Sequence, residues 1–279
     1  MIKAAFFDID GTLLSFKTHR VSEGTVRAFD TLHRHGVRTF ISTGRPQVLI
    51  PPMPVSFEGH ITMNGGLVFV GEQSEPTQQP DGVGDPKGAN EIQATPEETL
   101  LSNPIPAADL GAWLDFAKQH NICTMIFTAD GMMLAQPNEA GLKLRDQLEF
   151  TMPPVVDIET MRQQEAFQII ALMPAELDSK VASLLPHCRL PRWHPAFTDI
   201  VTYDNSKAHG MEVICRHFGI RQEETLAFGD GANDIEMLQW AGIGVAMGNA
   251  EQIVKDHADL VTADVDHEGI EQAVNQIMQ

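Results

Sequence analysis

The sequence predicts an α/β fold, a parallel-sheet core divided in sequence, with a second α/β module inserted into it. Three observations point there. Short apolar strands alternate with amphipathic helical stripes at both ends of the chain. The middle has a different rhythm, richer in hairpin signals. Polar clusters recur where predicted strands stop. The length of 279 residues and an apolar content of 43% suit one large domain or two modest ones with a real core.

The first strand is Ile2 to Phe7, an apolar run broken by one lysine, ending in Asp8-Ile9-Asp10-Gly11-Thr12. Ser22 to Gly36 reads as a helix: Ser22 can cap it, Val26, Phe29 and Leu32 form a stripe, and Gly36 can stop it. Val37 to Ile41 is a strand that runs into Ser42-Thr43-Gly44-Arg45-Pro46, where Pro46 suits a helix's first turn. Ile61 to Met63 leads into the Asn64-Gly65 turn signal, and Leu67 to Val70 resumes as strand. The order β-α-β-α-β predicts parallel pairing.

The tail repeats this grammar. Met211, Ile214, Cys215 and Phe218 make a helical stripe ended by Gly219. Thr225 to Phe228 is a strand that stops at Gly229-Asp230-Gly231. Ile235 and Leu238 begin a helix, Ile243 to Met247 is a strand, Ala250 to His257 a helix, and Leu260 to Thr262 a strand. Ile270, Val274 and Ile277 mark the last helix.

Residues 71–97 are polar, rich in Gly, Pro, Gln and Glu, and predict a long loop insertion in the core. Then come a helix over Ala107 to His120 and a hairpin of Ile122 to Phe127 with Met132 to Ala135 across Ala129-Asp130-Gly131. A helix near Glu139 to Leu148, a strand over Phe167 to Leu172 and a helix over Ala175 to Leu185 follow. Strands near Arg189 to Trp193 and Phe197 to Tyr203 close the segment. The expected division is a core of 1–104 and 203–279 around an inserted module of 105–202.

The formal charge of −19 argues against nucleic-acid and anionic-membrane partners, because neither gains from an acidic surface. Cys123, Cys188 and Cys215 are distant in sequence and form no zinc-type pair; three reduced thiols in a reducing compartment are expected. No leader pattern and no run of about 18 apolar residues is present, so the expected location is cytoplasmic. The sequence leaves the oligomeric state open.

Four polar clusters sit at predicted strand ends: Asp8/Asp10, Thr43-Gly44-Arg45, Asn205-Ser206-Lys207, and Gly229 to Asp234. Ligands of open parallel sheets bind at that edge. Alternation places Asp8 and Asp10 on one side of the strand, and two like charges ask for a cation or a proton. Asp8 can act as a nucleophile. Asp230 can close an oxygen-rich site with Asp8 and the Asp10 carbonyl, and oxygen donors without His or Cys favour Mg2+. Lys207 supplies positive charge for phosphoryl oxygens. Thr43 adds a hydroxyl and Gly44 a close backbone approach. Asp10 is placed to protonate a leaving oxygen and then activate water.

These residues resemble the haloacid dehalogenase superfamily of phosphatases, most closely its Cof-like branch. The motif DxDGT is Asp8-Ile9-Asp10-Gly11-Thr12, and the strand ending in Thr-Gly-Arg is Thr43-Gly44-Arg45. The lysine before a helix is Lys207, and GDGxNDxxM is Gly229 to Met237; Gly248-Asn249-Ala250 also fits. The resemblance implies a Rossmann-like core with an α/β cap of type IIB. It also implies Asp8 as phosphorylated nucleophile and Asp10 as acid/base. Mg2+ would be held by Asp8, Asp10 through its carbonyl, and Asp230, with Asp234 in support. Phosphate would be held by the Ile9 backbone, Thr43, Gly44, Lys207 and Asn233. Ala208 stands where the family has glycine, and 71–97 is longer than the turn expected there.

A calcium loop is the rival reading of Asp8 to Gly11, but its third ligand and its glycine would fall on Thr12 and Leu13, after a strand. Arg45 is weighed between substrate contact and pairing with a surface acid. His194, Phe197 and Asp199 are the inserted module's candidates for substrate contact, weighed against an ordinary hairpin. The expected activity is Mg2+-dependent removal of phosphate from small phosphorylated metabolites, sugar phosphates among them. The alternatives are a sugar phosphomutase and a non-catalytic metabolite-binding protein.

Overall fold

The computed structural model describes residues 1–71, 98–139, 141–143, 153–192 and 194–279. The predicted loop at 71–97, Gly71 apart, lies outside the described residues. So do most of the predicted helix near 139–148 and the strand terminus Trp193. The chain divides into two compact units: Met1–Arg45, Leu49–Ser102 and Ser206–Gln279 form one, and Pro46–Val48 with Asn103–Asn205 the other.

In the first unit, β1 (Ala4–Phe7) is flanked by β2 (Arg38–Ser42) and, across a long sequence interval, by β11 (Thr225–Gly229), both parallel. The full order among the described residues is β13-β12-β11-β1-β2-β3-β4-β5, with β3 at Gly59–Thr62, β4 at Leu67–Val70, β5 at Glu98–Ser102, β12 at Ile243–Ala246 and β13 at Leu260–Val261. The sheet is parallel from β13 to β3. The β3–β4 pair is antiparallel across the Asn64-Gly65 turn that the sequence marks, and β4–β5 is antiparallel as well.

Strand alternation sorts the side chains of β1 to its two faces. Phe7 stacks on Phe228 with centroids 5.0 Å apart and meets Phe29 of α1 (Glu23–Arg34) at 4.7 Å. Ile9 joins that side, which α1 and the C-terminal helix Gly269–Ile277 cover through Leu32, Ile270 and Val274. Phe6 faces the other way, stacking on Phe40 at 5.0 Å, in a cluster with Met211 and Ile214 of helix Lys207–Phe218. The same parity sends Asp8 toward that helix. Ser22 caps α1, its Oγ accepting from the Thr25 N–H at 3.1 Å, and Gly219 ends Lys207–Phe218 at φ 64°.

The helix expected after Pro46 is reduced to a single 3-10 turn, Gln47–Leu49; the prolines at 51, 52 and 54 leave no room to extend it. The expected helix over Ala250 to His257 is likewise cut to Gln252–Lys255.

The second unit is an antiparallel sheet in the order β7-β6-β8-β10-β9: β6 is Thr124–Thr128, β7 Gly131–Ala135, β8 Gln168–Ala171, β9 Cys188–Arg189 and β10 Thr198–Thr202. The hairpin turns where the sequence predicts, with Thr128 opposite Gly131. Helix Ala107–His120 buries Leu110, Trp113, Leu114 and Ala117, and Asn121 ends it in the left-handed region. Among the described residues no helix is long and apolar enough to cross a membrane.

Candidate active site

The ends of β1 and β11 lie side by side, so the residues that follow them meet. Asp8 stays tied to the sheet, its N–H donating to the Phe228 carbonyl at 3.0 Å. Asp230 follows Gly229 directly. Lys207 opens its helix, capped by Ser206, whose Oγ accepts from the His209 N–H at 3.1 Å. The Lys207 ammonium is fully buried; Nζ donates to Asp8 Oδ1 at 2.6 Å and to Asp234 Oδ1 at 2.5 Å. The second oxygen of Asp234 accepts from the N–H groups of Asp230, at 3.0 Å, and Gly231, at 2.9 Å. Asp234 thus fixes both the lysine and the turn that carries Asp230.

One carboxylate oxygen from each of Asp8, Asp230 and Asp234 lies within 4.8 Å of the other two. Burial lifts the Asp8 carboxyl well above the usual carboxylate range; Lys207 opposes this, and Asp234, Asp10 and Asp230 reinforce it. Burial, then the charge of Asp234, pushes Asp230 up to about 7. Burial works against the Lys207 charge, yet Asp234 and Asp8 together hold its pKa above the ordinary value. Three carboxylates therefore share one buried ammonium and favour a further positive charge. The donors are carboxylate oxygens alone, a set that fits Mg2+.

Asp10 does not join this cluster, although strand alternation predicts that it shares a side with Asp8. The strand ends at Phe7, and Gly11, at φ 83°, turns the chain. A Cβ at Gly11 would stand 2.1 Å from Asp230 Oδ2, so any side chain there would displace the Asp230 carboxylate. Asp10 is taken instead by Arg45, whose Nε donates to Oδ2 at 2.8 Å and Nη2 to Oδ1 at 2.6 Å. Arg45 thus meets an acid of the site itself.

Thr43 is buried; its N–H donates to the Ile61 carbonyl at 2.8 Å, and its Oγ1 accepts from the Arg45 N–H at 3.1 Å. A Cβ at Gly44 would lie 3.3 Å from Asn64 Nδ2, and Asn64 Oδ1 accepts from Asn233 Nδ2 at 3.0 Å. The structure therefore brings Gly44 and Asn233 together through Asn64, which the sequence presents only as a turn residue. The Ile9 carbonyl closes the turn after β1, accepting from the N–H groups of Leu13 at 3.0 Å and Leu14 at 2.8 Å.

In the second unit, Phe197 is buried among Cys123, Met125, Leu134 and Leu172, and the His194 ring stacks on it at 4.8 Å. Asp199 is buried on β10, its N–H donating to the Pro191 carbonyl at 3.2 Å.

A family model described as haloacid dehalogenase-like hydrolase matches residues 5–80 and 87–274. The YkrA protein of Bacillus subtilis, provisionally named a phosphatase, is 29% identical over 279 residues, covering 99% of this chain and 97% of its own. The solved structure of a HAD subclass IIB sugar phosphatase is 36% identical, with a TM-score of 0.80 and 99% of each chain covered. A phosphatase of the same superfamily from Bacteroides thetaiotaomicron is 30% identical, with a TM-score of 0.83, covering 100% of this chain and 96% of that one.

Proposed function

We propose, for a chain that belongs to the haloacid dehalogenase-like hydrolases, a Mg2+-dependent hydrolysis of small phosphorylated metabolites through an aspartyl-phosphate at Asp8. The chain is a phosphatase, a phosphoric monoester hydrolase. That mechanism is carried by one observation, the buried Lys207 ammonium held between Asp8 and Asp234, with Asp230 beside them.

An Asp8 oxygen attacks phosphorus, and the bond from phosphorus to the leaving oxygen breaks. Asp10 delivers the proton that the departing alcohol needs. Asp10 then takes a proton from water as that water attacks phosphorus; the acyl phosphate bond breaks, inorganic phosphate leaves and Asp8 is restored. Lys207, Thr43, Gly44, Asn233 and the Ile9 backbone would hold the phosphoryl oxygens. Asp8, the Asp10 carbonyl and Asp230, supported by Asp234, would hold Mg2+, which offsets the repulsion between carboxylate and phosphate.

The inserted module, 105–202, would act as a cap that sets specificity, with His194, Phe197 and Asp199 as its candidate determinants and Arg45 as the core's. Similarity at 36% identity to a sugar phosphatase supports sugar phosphates as the substrate class. Three unpaired, buried cysteines support a cytoplasmic workplace.

The test is phosphate release from a panel of sugar phosphates, with and without Mg2+, by the wild-type chain and by Asp8→Asn. Activity that needs Mg2+ and vanishes in the variant supports the reading; undiminished release by Asp8→Asn sinks the mechanism.

A further inference from the structure

We propose that Asn249 is a positioning residue, orienting the Asp230 carboxylate and thereby setting the affinity of the site for Mg2+; the inference rests on the Mg2+ reading above. Its amide is committed at every polar atom. Nδ2 donates to Asp230 Oδ2 at 2.9 Å and to the Gly11 carbonyl at 2.9 Å, while Oδ1 accepts from the Val265 N–H at 3.0 Å. Two hydrogens meet two acceptors and the oxygen meets a donor. A flipped amide would set oxygen against oxygen and N–H against N–H, so the orientation is unique.

The backbone that presents Asn249 is fixed from both sides. The Met247 N–H donates to the Gly229 carbonyl at 3.0 Å, one residue before Asp230, and the Gly248 N–H donates to the Ala263 carbonyl at 3.1 Å. Lys255 Nζ donates to the Gly248 carbonyl at 2.7 Å. A Cβ at Gly248 would stand 2.6 Å from the Asp264 nitrogen, so the chain is pressed against the segment after β13.

One side chain therefore joins the loops that follow β1, β11 and β13. Gly11 belongs to the loop that begins at Asp8, so the fork also ties the Asp8 loop to the Asp230 loop. The other oxygen of Asp230 has a weaker partner, Thr12 Oγ1 at 3.5 Å. The carboxylate is thus steered mainly through the oxygen that Asn249 holds. Outer partners of this kind govern how tightly a carboxylate ligand binds its metal.

The bland alternative is that Asn249 merely fastens the 265 loop. Two substitutions separate the roles. Asn249→Ala removes all three bonds. Asp264→Ala loosens the same loop without touching Asn249: it removes the carboxylate that accepts from the Asp266 N–H at 3.0 Å and pairs with His267 Nδ1 at 2.7 Å. Asn249→Ser, too short to span both acceptors, carries the same test if the alanine variant fails to fold.

Mg2+ is titrated calorimetrically into the metal-stripped full chain, and Tm is read without metal. The expected result is Mg2+ binding about 10–100-fold weaker in Asn249→Ala and unchanged in Asp264→Ala. A wild-type Kd in Asn249→Ala overturns the inference, as does equal weakening in both variants, whatever happens to Tm. A wild-type chain that takes up no Mg2+ overturns the Mg2+ reading and the inference together; normal uptake by the wild type with unaltered variants overturns the inference alone.

Discussion

Arg45 grips Asp10 with a two-pronged fork, Nε to Oδ2 at 2.8 Å and Nη2 to Oδ1 at 2.6 Å, and steadies itself by donating from Nη1 to the Leu49 carbonyl at 2.9 Å. Both side chains are partly exposed, so the pair contributes at most about 1 kcal/mol to stability. Its value lies in orientation, since a proton must pass between Asp10 and the leaving oxygen. Arg45→Lys keeps the charge and loses the fork. The expected outcome is a fall in kcat of about tenfold, ~1.4 kcal/mol in the barrier, with Tm nearly unchanged. A Tm loss that accompanies an unaltered kcat would contradict it.

Removing Lys207 should unfold the site from within. Lys207→Met keeps much of the volume but leaves Asp8 and Asp234 buried without their cation. Breaking a buried pair in this way costs about 3–5 kcal/mol. Adding Asp8→Asn removes one of the stranded charges and should restore part of that loss, a coupling that urea denaturation of the two single variants and the double variant will measure. Additive effects would show that the two groups do not interact.

His60 should impose an acid limb on stability. It lies on β3 between Phe57 and Phe69, with ring centroids 6.2 and 5.0 Å away, and burial lowers its pKa from 6.5 to about 4. Between those values the unfolded chain binds a proton that the folded chain refuses. Stability therefore falls as the pH drops from 6.5 toward 4, and this group adds no further loss below that. At ~1.4 kcal/mol per pKa unit the loss reaches ~3 kcal/mol as an upper bound. His60→Phe should flatten that part of the stability curve; an identical slope in the variant would exclude His60 as its source.

The parts legible in the sequence are those in which one residue type does one local job. Ser22 and Gly219 mark helix ends because capping and left-handed geometry are properties of single residues. Asp8, Lys207 and Asp230 stand out because charges at strand ends have few structural uses. The edge strand Glu98–Ser102 lacks alternation, its Leu100 and Leu101 being adjacent, and helix Ile158–Arg162 is too short to show a period. Pairings across long intervals are not written locally. Nothing near Asp10 indicates Arg45, and Asn64-Gly65 reads as a turn whether or not Asn64 reaches Asn233.

Gly65 should prove one of the costliest glycines to replace. Its φ is 92°, and a Cβ there would stand 2.2 Å from the Ser206 carbonyl oxygen and 2.7 Å from its carbon, both rigid backbone atoms. Ser206 caps the helix that begins with Lys207, so a displacement there moves the ammonium away from Asp8. Gly36 supplies the control: its φ is 70°, with nothing within 4 Å of a Cβ. Gly36→Ala should cost only the left-handed penalty, about 1–2 kcal/mol. Gly65→Ala carries that penalty and the clash as well, and should therefore lose more stability in urea and lower kcat, which Gly36→Ala leaves alone. Equal losses in the two variants would mean that the Met63–Gly65 turn yields without disturbing Ser206, and that the position of Lys207 does not depend on it.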